Sequence, residues 1–198
     1  MRERMQNTLR SGALGLVTSI VILIGGFCVG GCSTAPATQA ERDVLVRRAE
    51  DTIERFRQED SGLDHFFSSS VAYAVFPTVA KGAVGIGGAH GQGVLYEAGT
   101  MTGYCDLTQG SIGFQLGGQG YSEIIFFRSK RAVGNFKRGT FEFAAQASAV
   151  AVHAGASADA NYEAGVAVFT MPKSGLMYEA SIGGQSFDFV PASAADGN

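Results

Sequence analysis

A glycine-rich, charge-poor stretch between Gly82 and Gly120 constrains the fold of this chain more than any other feature. Thirteen of its 39 residues are glycine, and the residues between them include Val, Ile, Leu, Tyr and Phe. Such side chains suit the pleated surface of a β-sheet, and glycine allows close approach of neighbouring backbones. The stretch therefore predicts a compact antiparallel β core. Across the wider region from Val71 to Phe127, the only charged residues are Lys81, Glu97, Asp106 and Glu123.

The distribution of proline and charge supports this prediction. No proline occurs between Pro77 and Pro172, so no residue there lacks the N–H that a β ladder needs. Residues 32–198 contain 12 Lys and Arg against 17 Asp and Glu, a net charge of −5. A chain with this charge has no general attraction for nucleic acid, and nucleic-acid binding is not predicted.

Residues 1–31 have the pattern of a secretory signal peptide. Three arginines precede an uncharged, largely apolar run that extends from Ser11 to Gly31, which is the order of the n-region and h-region of such a signal. The run is also close to the ~20 residues that span a bilayer, so a retained transmembrane helix is the alternative.

The end of this run favours cleavage. Val29-Gly30-Gly31-Cys32 resembles the bacterial lipoprotein signal, and the resemblance implies that Cys32 is lipidated and becomes the new N-terminus. Several acyl chains on one residue would suffice for stable anchoring. Ser33, rather than an acidic residue, implies by the same resemblance the outer membrane.

Two helices are predicted after a short tether at residues 32–39. Thr38 and Glu41 have the spacing of a capping box, and the first helix extends from there to about Asp60, where Gly62 provides a stop. Its apolar residues form one narrow stripe that either packs on the β core or lies on the bilayer; mixed rather than basic charges favour packing. A second short helix is predicted at residues 63–69.

Strands are predicted for most of the remaining chain. The first is Val71–Phe76, which Pro77 is expected to end; further strands are expected at residues 81–90, 93–98, 101–108, 111–118, 121–127, 163–170 and 176–189. Residues 129–136 are predicted to form a helical turn. Residues 141–152 combine many alanines with β-branched and aromatic residues, and we favour a strand.

Neither a cofactor nor a metal ion is predicted. Gly85–Gly93 lacks a literal G-x-G-x-x-G, and the residues after it are strand-like where a phosphate site needs a helix N-terminus. His65, His90 and His153 are far apart and have no metal-ligand spacing. Cys105 would remain as a single cysteine in the mature chain, most simply as a small core residue. No catalytic motif is found, and the protein is not predicted to be an enzyme.

One basic cluster lies after the glycine-rich stretch. It contains five of the 12 cations of residues 32–198, and Val133 and Phe136 lie within it: Arg128, Lys130, Arg131, Lys137 and Arg138. Basic residues around an apolar side chain could bind anionic lipid, where each well-placed cation contributes about 1 kcal/mol. The alternative is a loop whose charges only maintain solubility.

Several glycine and apolar motifs resemble the SYLF domain family. They are Ala72–Pro77, Lys81-Gly82, Gly87-Gly88, Gly91–Leu95, Ser111–Gln119 and, near the C-terminus, Gly175–Ser181. The resemblance covers about residues 40–190 and implies lipid binding, of phosphoinositides in eukaryotic members and of phospholipids in bacterial lipoproteins. We therefore assign headgroup binding to Lys81 and the cluster at residues 128–138.

The sequence as a whole predicts an α+β protein, a curved or barrel-like antiparallel β-sheet with two N-terminal helices packed on it. The expected organisation is a lipoprotein signal peptide (1–31), a tether (32–39), a SYLF-like lipid-binding domain (40–191) and a C-terminal tail (192–198). The expected function is non-catalytic binding of acidic phospholipid headgroups at the periplasmic face of the outer membrane. The alternative is a structural envelope lipoprotein whose β surface binds another protein.

Overall fold

The computed structural model describes residues 35–84, 86–112, 119–141, 148–173 and 180–195. The predicted signal peptide, the anchor Cys32, and parts of the motifs at 111–119 and 175–181 lie outside these ranges. The described elements are, in chain order, α1 (Gln39–Glu59), α2 (Leu63–Ser69), β1 (Ala72–Val84), β2 (Ile86–Glu97), β3 (Thr100–Ile112), β4 (Gln119–Phe127), α3 (Lys130–Lys137), β5 (Ser148–Ala151), β6 (Val166–Pro172), β7 (Ala180–Ser181), β8 (Gln185–Pro191) and α4 (Ala192–Ala195).

The protein is α+β, with one sheet whose strand order is β7-β5-β6-β4-β1-β2-β3-β8. The prediction of an antiparallel sheet is wrong at one position: β5 pairs with β6 in parallel, Val150 opposite Phe169, while the other strand pairs are antiparallel. A parallel neighbour needs a crossover connection, and the chain between β5 and β6 supplies it through a 3₁₀ turn at Ala156–Ala158.

The sheet is strongly curved, and its two ends, β7 and β8, are not paired with each other in the described part of the chain. Three strand spacings separate β1 from β8, about 14 Å in a flat sheet, yet the rings of Phe76 and Phe187 lie 5.9 Å apart. The inner, concave face therefore brings distant strands together. The sheet is curved, as the glycine content predicts, but it is not closed into a barrel.

Both faces of the sheet are buried. Along β4, Ile125 and Phe127 point to the inner face, where they pack with Phe136 of α3, while Ile124 and Phe126 point to the outer face. This arrangement explains why the last four residues of β4, Ile124–Phe127, form a continuous apolar run rather than an alternating one.

Helix α1 packs on the outer face of the sheet. Its capping box is present, with Thr38 Oγ1 accepting from the N–H of Glu41 and Glu41 Oε2 accepting from the N–H of Thr38. Ala49 and Phe56 are fully buried against the strands, with Leu45 and Ile53 partly buried beside them. The apolar stripe thus contacts the β core. No helix in the described ranges is both long enough and apolar enough to cross a membrane.

Asp60 fastens the end of α1 to the 3₁₀ turn. Its buried carboxylate accepts the N–H of Ser157 at 2.7 Å and the N–H of Gly62 at 3.0 Å. Burial opposes ionisation, but these donors outweigh it and lower the pKa of Asp60.

Replacing Asp60 with alanine is expected to lower the free energy of unfolding by about 3 kcal/mol at pH 7, because two donors lose a charged acceptor. Since the pKa of Asp60 is lowered in the folded state, this stabilisation is present above the ordinary aspartate pKa and is lost as the pH falls below it. Urea unfolding at pH 7 and pH 3 measures both effects. Glu59→Ala, at the exposed neighbouring position, serves as the control. If Asp60→Ala lowered the free energy of unfolding equally at both pH values, the ionised carboxylate of Asp60 would not be the source of the stabilisation.

Candidate anion-binding site

A bulge in β1 creates a cleft beneath α1. The pairing of β1 shifts register between Val75 and Thr78 relative to β2, and between Phe76 and Val79 relative to β4. Pro77 lies at this point and has no N–H for the ladder, so the strand bulges instead of ending there as the sequence predicts. Ser122 of β4 uses the released Pro77 carbonyl as the acceptor for its hydroxyl, at 2.8 Å.

Three cations meet in this cleft. It has a volume of about 760 Å³ and is lined by Arg48, Asp51, Thr52, Glu54 and Arg55 of α1, by Pro77 and Thr78 of the bulge, and by Lys173 after β6. Arg55 Nη2 donates to Ser122 Oγ at 3.2 Å, and Lys173 Nζ donates to Thr78 Oγ1. The cleft thus combines guanidinium, ammonium and hydroxyl groups, which are the donors that bind phosphate or carboxylate.

The charges in the cleft favour an anion. Partial burial of Lys173, together with the positive charges of Arg55 and Arg48, lowers the pKa of its ammonium group. Within the described ranges none of these three cations forms an ion pair with a carboxylate closer than 4 Å, although Asp51 and Glu54 leave the lining with a net charge of only +1. An anion bound beside Lys173 would relieve the mutual repulsion of the three cations.

The predicted basic cluster is distributed around α3. Lys130 and Arg131 are exposed in the first turn of this helix, which Ser129 caps by accepting the N–H of Ala132. Lys137 forms an ion pair with Glu97, and Arg138 donates to Asn135 Oδ1 at 2.7 Å. Burial of Glu97 opposes its ionisation, but hydrogen bonds from Lys137 and Thr102 lower its pKa. Lys130 and Arg131 are therefore the members that project freely from α3.

The apolar residues of this cluster are part of the core. Phe136 is fully buried and its ring lies 5.0 Å from that of Phe127 and 5.0 Å from that of Phe187, and Val133 is also buried. Phe136 is therefore not available to a bilayer, because α3 uses its apolar face to cover the inner face of the sheet.

The two remaining predicted site residues lie elsewhere. Arg128 lines a second cleft of about 670 Å³ between α2 and the segment 155–162, where its guanidinium carbon is 5.5 Å from the ring centroid of Tyr162. Lys81, near the end of β1, lies opposite Gln119 of β4. Gly120, next to Gln119, accepts the backbone N–H of Lys173, so Lys81 and Lys173 lie at the same end of the sheet.

Metal-binding residues and a reactive cysteine were also considered among the possible sites. The described residues include no group of three or more His, Cys, Asp or Glu that could hold a metal ion. Cys105 is fully buried, and burial raises the pKa of its thiol, with Asp106 adding to the effect. This is the core role that the sequence predicts for it.

The cleft was missed at the level of sequence because its cations are far apart in the chain. The available signals were the seven-residue spacing of Arg48 and Arg55, which places both on one helix face, and a proline inside a strand pattern, which indicates a bulge or an edge. Neither signal identifies Lys173, which only the pairing of β4 with β6 brings to the cleft.

Comparison with known proteins finds one family model and one relative that this chain resembles. Residues 108–190 match the family model described as "Ysc84: Las17-binding protein actin regulator". A protein of Aeromonas veronii named Beta cell expansion factor A is 25% identical over 155 residues, which are 77% of this chain and 59% of that protein. The chain thus spans less than two thirds of the length of this relative. The resemblance to the SYLF family is confirmed by these matches, of which the Ysc84 model covers residues 108–190.

Proposed function

We propose that this protein is a non-catalytic, phospholipid-binding lipoprotein of the bacterial cell envelope, which binds acidic headgroups mainly through the cleft beneath α1. The observation that carries the proposal is the convergence of Arg48, Arg55 and Lys173 in one cleft, with the Thr78 hydroxyl beside the ammonium group. The Ysc84 match supports it, because the SYLF family is associated with lipid binding in general.

A lipid anchor would make a weak headgroup site effective. Acyl chains on Cys32 would hold the domain at the periplasmic face of the outer membrane, and tethering raises the effective concentration of headgroups around the cleft. Under these conditions three cations worth about 1 kcal/mol each are enough for headgroup occupancy.

The α3 cations have a supporting role in this proposal. Lys130 and Arg131 are exposed and can attract an anionic surface over roughly a Debye length. Lys137 and Arg138 already have partners on the protein, so they contribute less. Lys81 lies at the same end of the sheet as Lys173, but on the face of Val79 rather than the face covered by α1, so it is not counted among the cations of the cleft.

Vesicle binding by the domain from Ser33 to Asn198 tests this function. The triple variant Arg48→Gln, Arg55→Gln, Lys173→Gln is expected to bind vesicles containing phosphatidylglycerol with an affinity lower by up to about 100-fold, from three cations at about 1 kcal/mol each. Raising the salt concentration is expected to weaken vesicle binding by the unmodified domain and to reduce the difference in affinity between it and the triple variant. Circular dichroism checks that the variant is folded.

A charge-matched variant separates the cleft from general electrostatics. A second triple variant removes the same charge from α3 and its C-cap: Lys130→Gln, Arg131→Gln, Arg138→Gln. Its affinity for the vesicles is expected to fall by less than about tenfold, since exposed charges are screened. Equal losses in both variants would reject the cleft as the site. Absence of vesicle binding by the unmodified domain at low salt would reject lipid binding itself. That result would favour the alternative, a structural envelope lipoprotein that binds another protein, which the Las17-binding description of the family favours.

A further inference from the structure

A buried polar cluster links two strands that are not neighbours in the sheet. Gln185, at the start of β8, donates from Nε2 to Glu123 Oε2 at 3.1 Å and to the Tyr121 hydroxyl at 3.3 Å, both on β4. Four strand spacings separate β4 from β8, about 19 Å in a flat sheet. These two hydrogen bonds therefore exist only while the sheet is curved.

The cluster contains buried polar atoms without a hydrogen-bond partner. Glu123, Thr170 and Gln185 are fully buried, and Thr170 lies directly opposite Glu123 in the pairing of β4 with β6. Glu123 Oε1, Thr170 Oγ1 and Gln185 Oε1 have no hydrogen-bond partner in the described part of the chain. Both hydrogens of the Gln185 amide are already donated, and the other donors beside Glu123 are the neutral hydroxyl groups of Thr170 and Tyr121, so no charged group compensates an ionised Glu123. A proton on Glu123 would remove this uncompensated charge from the buried cluster.

The surroundings of Glu123 supply no counter-charge. The inner face around it is formed by Phe76 and Val79 of β1, Leu107 of β3, Val168 of β6, Phe187 of β8 and Phe136 of α3. The fully buried titratable groups of this face besides Glu123 are Tyr121 and Cys105, and burial raises the pKa of both, so neither is charged near neutral pH. The charged residues of the same face lie toward its ends: Lys81 near the end of β1, and Glu97 at the end of β2, which forms an ion pair with Lys137 of α3. Burial also raises the pKa of Glu123 to about 8, against the opposing effect of the Gln185 hydrogen bond.

Strand β8 lies at an edge of the sheet. In the described ranges it is the last strand and pairs with one strand, β3, while its Phe187 packs against Phe76 and Phe136 in the core. Detaching it requires loss of that ladder, of the contacts with α3 and of the two Gln185 hydrogen bonds, while β1, β2 and β4 keep their pairing.

We propose that Tyr121, Glu123 and Gln185 form a proton-dependent latch that holds β8 across the concave face against β4. The neutral carboxyl group fits the closed arrangement, whereas the ionised group favours an opened arrangement in which water reaches it. This regulatory device is independent of the proposed headgroup site.

Hydrogen–deuterium exchange of the full chain in detergent micelles tests the latch. Glu123 is neutral in the closed form and ionised in the open form. The equilibrium constant for opening therefore rises by up to tenfold per pH unit between the ordinary glutamate pKa and the raised pKa of Glu123. After correction for intrinsic exchange rates, the opening constant of β8 amides is expected to rise between pH 5 and 8 and to level off above 8. Amides of the β1–β2 pair are expected to change much less.

Glu123→Gln is the decisive variant, because its amide still accepts from Gln185 but cannot ionise. In this variant the β8 opening constant is expected to be independent of pH between 6 and 8. Asp106 requires a control, since it lies opposite Asp188 of β8, and burial and Asp188 raise its pKa to about 6 even though His90 opposes this. The exchange measurements are therefore repeated with Asp106→Asn present in both chains, the one with Glu123 and the one with Glu123→Gln. An unchanged pH dependence in Glu123→Gln would overturn the latch.

A second measurement needs no substitution at Glu123. Infrared spectra of the Asp106→Asn chain are expected to show a protonated carboxyl band at pH 7 that disappears as the pH rises through about 8. Absence of that band at pH 7 would show that Glu123 is ionised in the closed form, and it would overturn the proposal even if Glu123→Gln failed to fold.

Discussion

Replacing Phe126 with alanine is expected to lower the free energy of unfolding by about 4 kcal/mol, within the range for truncation of a buried phenylalanine. Phe126 is fully buried on the outer face of β4, at the centre of the contact between the sheet and the helices. Its ring is 5.6 Å from that of Phe66 and 4.8 Å from that of Phe67, both on α2, and 5.8 Å from that of Phe169 on β6. Truncation leaves a cavity between two layers that surrounding side chains cannot easily fill. Urea unfolding at pH 7 measures the loss.

A graded substitution distinguishes cavity formation from a general loss of apolar character. Phe126→Leu retains most of the buried area and is expected to cost about 1–2 kcal/mol, less than half of the alanine value. A cost below about 1 kcal/mol for Phe126→Ala would mean that α2 does not depend on this contact. The arrangement of the outer face would then have to be reconsidered.

Replacing Gly93 with alanine is expected to destabilise the fold by about 2–3 kcal/mol, a large effect for one added methyl group. A Cβ at this position in β2 would lie 2.7 Å from the Val75 carbonyl oxygen and 2.6 Å from a ring carbon of Phe76. The oxygen belongs to a paired strand and the ring is fully buried, so neither can move away cheaply. The added methyl group therefore forces the β1–β2 pair apart beside the bulge.

Gly110 of β3 provides the matched control. A Cβ there meets no atom within 4 Å, and alanine reduces the conformational freedom of the unfolded chain. Gly110→Ala is therefore expected to be neutral or to stabilise by up to about 1 kcal/mol. Thermal unfolding of both variants measures the difference. Equal effects would contradict the view that glycine at 93 is required by close packing.

Local signals in the sequence located the first helix well. The capping box of Thr38 and Glu41 and the stop at Gly62 depend on interactions within a few residues, so they can be recognised without the fold. The apolar stripe of α1 also indicated which face is buried. By contrast, the sequence could not show what the stripe would contact, because a bilayer and a sheet bury the same apolar side chains.

Strand boundaries were predicted less well than strand content. Pro77 was expected to end the first strand, yet β1 continues to Val84 because Ser122 satisfies the carbonyl at the bulge. Residues 81–90 were expected to form one strand, whereas β1 ends at Val84 and β2 begins at Ile86. In each case the outcome depends on a partner strand that is distant in the chain, and periodicity does not carry that information.

The basic cluster shows the same limit at the level of function. Five cations within eleven residues are visible in the sequence, but Lys137 is paired with Glu97 and Phe136 is in the core. The cleft that gathers Arg48, Arg55 and Lys173 is invisible in the sequence, because its residues come from elements more than one hundred positions apart. A charge count along the chain measures local density, whereas a binding site depends on charge density in space.

The sequence by itself determined the content of the fold: a capped helix followed by a charge-poor, glycine-rich β region whose motifs resemble the SYLF family. These features follow from backbone preferences and short-range hydrogen bonds, which act within a few residues. Only the tertiary structure decided the curvature that places Gln185 beside Glu123, the parallel pairing of β5 and β6, and the meeting of three cations beneath α1. Each of these depends on which strands become neighbours, and that choice is made by burial of the whole core rather than by any local segment.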